Sequence, residues 1–139
     1  MTGLDPIRDR IIEIATIVTD GDLKVIEEGP SLAIRQPEEL LSSMDEWNSE
    51  HHASSGLLER IEREGVEERE AEALSLQFIE RHVEINQAPL CGNTIWQDRR
   101  FLSRYMPTLE SYLHYRVIDV SSIKAVSYTH LTLPTSDQV

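Results

Sequence analysis

The chemistry this chain could do centres on a carboxylate at the start of a helix. The stretch Cys91-Gly92-Asn93-Thr94-Ile95-Trp96-Gln97-Asp98-Arg99-Arg100-Phe101-Leu102 reads as a strand end, a turn and the first turns of a helix. Pro89, Leu90 and Cys91 supply the apolar strand end, with Cys91 expected as a small buried hydrophobe. Gly92 and Asn93 are turn formers. Thr94 with Gln97 three residues on fits a capping box, in which each side chain would bond the other's backbone N–H. Asp98 then falls in the first turn, beside unpaired N–H groups and the positive end of the helix dipole. A carboxylate there is a hard oxygen ligand suited to a divalent cation, provided other acids converge on it. Spacing alone favours the plainer role, because the dipole stabilises such an acid by about 0.5 kcal/mol.

The elements that must position Asp98 follow from patterning. Residues 10–19 read as a strand dense in β-branched side chains (Ile11, Ile12, Ile14, Ile17, Val18). Asp20-Gly21-Asp22 is a hairpin signal, and residues 23–28 would pair back, continuing past Gly29-Pro30 over 31–35. Pro37 suits the start of a helix carrying Leu40, Leu41 and Met44. Residues 45–50 carry Trp47. Ser54 or Ser55 would cap a short helix ending near Gly65. A longer helix over 67–82 has Ala71, Leu74, Phe78 and Ile79 as its core stripe. A strand over 89–91 leads into the focal helix, which runs to about Met106, and Pro107 opens another helical turn. Residues 115–120 read as a buried strand, and Ser121 or Ser122 as the cap of a helix from Ile123. Antiparallel strands come first and alternating strand–helix units second, so the pattern predicts a mixed α/β sheet with helices on its faces. Residues 126–139 change character: they are Ser/Thr-rich, Pro134 would break a helix, and no helical period continues into them. They are expected to be either disordered or an artefactual addition that is not part of the native product, which leaves residues 1–125 as one domain.

Composition narrows the partners. The 139 residues carry 13 Lys and Arg against 25 Asp and Glu, a net charge of −12. That argues against tracking along DNA or long RNA, which needs a basic stripe, but leaves room for a short substrate. No apolar run reaches the ~18 residues of a membrane span, and one cysteine excludes an internal disulfide. A cytoplasmic location is the default.

Several blocks share a likeness. Met1-Thr2-Gly3-Leu4-Asp5-Pro6, Arg8-Asp9-Arg10-Ile11-Ile12-Glu13-Ile14-Ala15, Met44-Asp45-Glu46-Trp47-Asn48, Ser55-Gly56-Leu57, the 91–102 stretch, His114-Tyr115-Arg116 and Asp119-Val120-Ser121 together resemble the oligoribonuclease family of DEDDh 3′-to-5′ exonucleases, in order and at matching spacing to about Ala125. The resemblance implies a ribonuclease-H-like fold, a homodimer, and hydrolysis of short RNA oligonucleotides, dinucleotides among them, to mononucleotides. It implies two divalent ions, Mg²⁺ or Mn²⁺, held by four acids, with a histidine as general base. Asp98 matches the third acid, as metal ligand and catalytic residue. The other positions have no match, so the likeness implies an internal piece of such an enzyme, lacking its first strand and C-terminal helices and with little activity alone. Neither His130 nor Asp137 stands at a spacing that carries a role over.

On the substrate side, Leu4 resembles the apolar wedge between two bases, though an isolated Leu there is as readily an ordinary loop residue. Trp47 and His52 resemble residues lining the scissile end, where plainer readings are a core indole and a surface His pair. Thr94 sits where the family has a small hydroxyl residue. Arg116 and Ser121 resemble a cap for the 5′ phosphate, with Tyr115 or His114 from a partner subunit; Arg meets phosphate bidentately. Trp96 departs from the family, which generally has a small or polar residue there. Two alternatives compete: a proofreading or tRNA-trimming nuclease of the same superfamily, and a non-catalytic nucleotide-binding or dimerisation module.

Overall fold

The computed structural model describes residues 1–132. β1 (Glu13–Thr19) and β2 (Val25–Ala33) form the expected antiparallel ribbon. The Asp20 carboxylate closes its turn by accepting from the N–H groups of Asp22 and Lys24 at 2.9 and 3.0 Å. Leu23, rather than a glycine, takes the left-handed conformation there, with φ of 63°. β1 starts at Glu13 rather than at residue 10, because the backbone before it is committed elsewhere. The Ile11 carbonyl accepts from Gln36 Nε2 at 2.9 Å, and Thr2 and Arg10 are bonded to one another. Ile11 and Ile12 remain buried core residues.

Four helices follow: α1 (Glu38–Ser42), α2 (Glu46–Ser54), α3 (Leu57–Glu64) and α4 (Glu68–Glu80). Pro37 precedes α1 as expected. Asp45 caps α2 by accepting from the Asn48 N–H at 2.8 Å. Ser54 and Ser55 do not cap α3. Their hydroxyls bond back to the carbonyls of His51 and His52, and Gly56 begins α3 with φ of 76°, a conformation that glycine adopts without steric cost. On α4, Ala71, Phe78 and Ile79 are buried as expected. Leu74 lies at the edge of the stripe, partly exposed, and Ser75 is buried in its place.

β3 (Leu90–Gly92) and β4 (Val117–Asp119) pair in parallel. Between them run α5 (Ile95–Tyr105) and α6 (Pro107–Tyr112). The expected antiparallel and parallel pairings thus form in the expected order, but as two separate two-stranded ladders rather than one sheet among the described residues. β4 is short and only partly covered, not the buried strand over 115–120. Cys91 is exposed, contrary to expectation. It is registered with Ile118, which is exposed too; alternation along the strands turns both to the uncovered face. α7 (Val120–Thr132) begins earlier than Ile123 and continues through residues expected to be irregular. Asp119 starts it, accepting from the N–H of Ser121 at 3.0 Å and the hydroxyl of Ser122 at 3.0 Å. The remainder of the tail, with Asp137 and the His130 side chain, lies outside the described residues.

Phe101, Ile34 and Met106 are fully buried at the centre of the main core, with Ile11, Ile79 and Leu102 around them. α5 therefore inserts its apolar side between ribbon and helices and turns Gln97 and Asp98 toward the amino-terminal segment.

Candidate active site

Residues 1–4 lie across the start of α5 and are tied down at successive positions. The Thr2 N–H donates to the Arg10 carbonyl at 3.0 Å, and its hydroxyl donates to Asp9 Oδ1 at 3.0 Å. A side chain on Gly3 would place its Cβ only 2.4 Å from the Asp9 carboxylate. Gln97 holds Leu4: its Nε2 donates to the Leu4 carbonyl at 2.8 Å, and its Oε1 accepts from Arg100 Nη1 at 2.6 Å. This explains why Thr94 and Gln97 do not form the expected capping box; both side chains are used in longer-range contacts, and α5 has no side-chain cap bond. From α2, His52 Nε2 reaches the Met1 carbonyl at 3.1 Å. With a carbonyl as partner that nitrogen carries the proton, which leaves Nδ1 as the lone-pair nitrogen.

Charge at this meeting point is set by burial. Burial raises the Asp98 carboxyl above its ordinary value, against the opposing pull of backbone hydrogen bonding and the Met1 ammonium. Burial lowers the Met1 ammonium, while Asp98, Glu13 and Asp9 act to raise it. Burial also lowers His52, outweighing the bond to the Met1 carbonyl, with the ammonium and His51 adding to the decrease. His52 is accordingly a neutral imidazole at pH 7.

A second cluster joins the turn before α5 to the start of α7. The Thr94 N–H donates to Asp119 Oδ1 at 2.9 Å and Ser121 Oγ at 3.1 Å, and the Thr94 and Ser121 hydroxyls are 3.1 Å apart. Thr94 holds φ of 50°, a costly conformation for a β-branched residue. Desolvation is the largest single influence on the Asp119 carboxyl and works to raise it, but the hydrogen bonds from Ser122, Thr94 and Ser121 together prevail and lower it. Nearby, Arg99 pairs with Glu110 at 3.1 Å and donates to the His114 carbonyl at 2.8 Å. It braces the loop that carries Tyr115 and Arg116. Tyr115 is 74% exposed, stacked on His114 at 4.5 Å, with the Arg116 guanidinium 5.5 Å from its ring centre.

The structure therefore ties Leu4, through Gln97, and His52, through the Met1 carbonyl, to the amino-terminal segment that crosses the helix carrying Asp98, and it joins Thr94 directly to Ser121. Tyr115 and Arg116 stand on an adjoining loop. Trp47 is not a core indole; it is 68% exposed and stacked on His51 at 5.0 Å. Sequence reasoning missed two organising residues, Gln97 and Asp119. Asp119, just before a helix start, was legible as a cap; nothing in the local pattern marks a buried Gln beside an Asp. Among the described residues no three His, Cys, Asp or Glu side chains converge as a metal site. Asp98 thus stands without two converging partners among the described residues, and a single carboxylate is too few to hold a pair of hydrated cations.

Comparison with known proteins bears on this arrangement. A family model described as an exonuclease, RNase_T, matches residues 1–134. The chain is 58% identical over 127 residues to the oligoribonuclease of Coxiella burnetii, covering 91% of this chain and 69% of that protein. It is 54% identical to the oligoribonuclease of Photorhabdus laumondii and 57% identical to that of Pseudomonas aeruginosa. Each match covers 91% of this chain, and 70% and 71% of those proteins.

Proposed function

The chain belongs to the oligoribonuclease family of exonucleases, and from that premise we propose that it is a 3′-to-5′ exoribonuclease acting on short RNA oligonucleotides and releasing mononucleotides. The observation that supports the site is the anchoring of the amino-terminal segment, with Leu4 held by Gln97 of α5 next to Asp98 and the Met1 carbonyl held by His52 of α2. Leu4, 70% exposed on a rigidly held backbone, inserts between two bases. His52, with Trp47 on the same helix, lines the scissile end. Thr94 and Ser121 offer hydroxyls to the substrate, and Arg116 with Ser121 meets the 5′ phosphate, since guanidinium and hydroxyl donors suit its oxygens. A phosphate contact at a fixed distance from Asp98 restricts the substrate to a few nucleotides.

Asp98 is one oxygen ligand for Mg²⁺ or Mn²⁺, and completing such a centre takes further carboxylates. The 139 residues by themselves are expected to bind short RNA with little turnover. Exposed Tyr115 suits contact with a second copy, in a cytoplasmic homodimer; among the described residues no helix is long and apolar enough to cross a membrane.

Affinity for RNA of different lengths tests the substrate assignment. A 5′-phosphorylated dinucleotide should bind more tightly than a 12-nucleotide RNA. Arg116→Ala should weaken the dinucleotide about tenfold, in line with the loss of a charge-assisted hydrogen bond. Equal or tighter binding of the 12-mer overturns the short-substrate reading.

A further inference from the structure

We propose that Trp96 and Arg100 form a stacking surface for a nucleobase of the bound RNA, on the side of Leu4 away from Asp98. The inference rests on the short-RNA reading above and adds a residue that determines how substrate is held.

Helix geometry gives the placement. With 3.6 residues per turn, Arg100 lies about 40° around α5 from Trp96, Gln97 about 100° and Asp98 about 200°. The amino-terminal segment crosses this face in the same order. Leu4 is bonded through its carbonyl to Gln97, while the Met1 ammonium is within electrostatic reach of Asp98. Going around the helix one meets the Trp96–Arg100 pair, then Leu4 over Gln97, then Asp98. A base that passes Leu4 on the side away from Asp98 next meets the indole.

The chemistry of the pair suits a base. Trp96 is 51% exposed, a large apolar ring left in water on an ordered helix. The Arg100 guanidinium lies 5.8 Å from its ring centre, a cation–π arrangement. Arg100 is itself oriented by Gln97 Oε1 at 2.6 Å. Among the described residues it has no carboxylate within ion-pair distance, although its charge is felt at Asp5. Its neighbour Arg99 is by contrast neutralised by Glu110. A guanidinium without a close acid, beside an open aromatic face, is a local positive site in a chain of net charge −12. Aromatic faces with adjacent Arg bind the bases of single strands by stacking, with little sequence preference. Trp47 does not serve in the same way, since His51 already stacks on its ring at 5.0 Å.

Equilibrium dialysis with labelled diadenylate tests this. The full 139-residue chain is compared with Trp96→Gly, Trp96→Phe and Arg100→Gln, in EDTA so that binding is read without turnover. The same proteins are titrated with dinucleotides in which one or the other ribose is abasic. Trp96→Gly is expected to weaken the intact dinucleotide roughly tenfold, as for loss of one stacked base. Trp96→Phe should restore most of the affinity, and Arg100→Gln should cost several-fold. The decisive sign is selectivity: with the base at one position removed, Trp96→Gly should make no difference. Unchanged affinity for the intact dinucleotide overturns the proposal, as does an equal loss on all three ligands in a variant with an unaltered melt. A Trp96→Gly effect confined to sedimentation, turning dimer to monomer, assigns the indole to a second copy of the chain and also overturns it. If the unmodified chain binds no dinucleotide, the short-RNA reading fails with it. If it binds, and binding responds to Arg116→Ala but not to Trp96→Gly, only the stacking surface fails.

Discussion

Replacing Gln97 with Leu should loosen the amino-terminal segment from α5 while keeping nearly the same volume. Gln97 is 8% exposed, so water cannot readily take over its two hydrogen bonds. One bond goes to the Leu4 carbonyl and the other comes from the charged Arg100. A neutral bond contributes about 1 kcal/mol and one to a charged group about 1.5–3 kcal/mol. The apolar replacement recovers part of this by removing a buried amide, which leaves a cost of roughly 2–3 kcal/mol. For a chain of this size that corresponds to a fall in Tm of about 6–15 °C. Gln97→Glu separates the contributions, because a carboxylate still accepts from Arg100 but cannot donate to Leu4. Thermal melts followed by circular dichroism, with dinucleotide affinity measured well below the transition, read both effects. Both variants should lose affinity, with Gln97→Glu retaining more stability. A Gln97→Leu protein with unchanged Tm and unchanged affinity would refute the view that this side chain positions Leu4.

Two further outcomes follow from burial. The Asp98 carboxyl is raised in the folded state by desolvation, so between its ordinary and raised values the folded chain binds more protons than the unfolded one. Stability from this group therefore falls as pH rises through that window. Asp98→Asn should melt higher than the unmodified chain at pH 7, with the difference vanishing in acid; an Asn variant that is less stable at neutral pH contradicts the assigned burial effect. Phe101 is fully buried at the centre of the main core, and Phe101→Ala should cost about 3–5 kcal/mol, enough to unfold much of the population at 37 °C, as a chemical denaturation series would show.

The order of elements was legible in the sequence because periodicity and turn chemistry are local. The Asp20 turn, the Pro37 helix start, the α4 stripe at Ala71, Phe78 and Ile79, and the Asp98 helix all stand where the pattern put them. What was not legible depended on side chains reaching across the fold. Thr94 and Gln97 matched a capping box, yet their best partners were Ser121 and Leu4, distant in sequence. Ser54 and Ser55 looked like caps for the next helix and instead terminate the preceding one. Cys91 looked buried because its neighbours are apolar, while alternation along a short ladder turned it outward. The sequence nominated Asp98, Leu4 and His52 as candidate members of the site through their motifs. The scaffold around them was not legible, since a buried glutamine and a shared aspartate leave no periodic trace.

The most direct test is hydrolysis of a labelled diribonucleotide by the 139-residue chain and its Asp98→Ala variant, with Mg²⁺ or Mn²⁺ supplied. With Asp98 as a necessary but insufficient ligand, neither protein should turn over the substrate appreciably, while the unmodified chain still binds it. Turnover that survives Asp98→Ala contradicts the assignment of the site. Turnover that Asp98→Ala abolishes contradicts the claim that one carboxylate is too few.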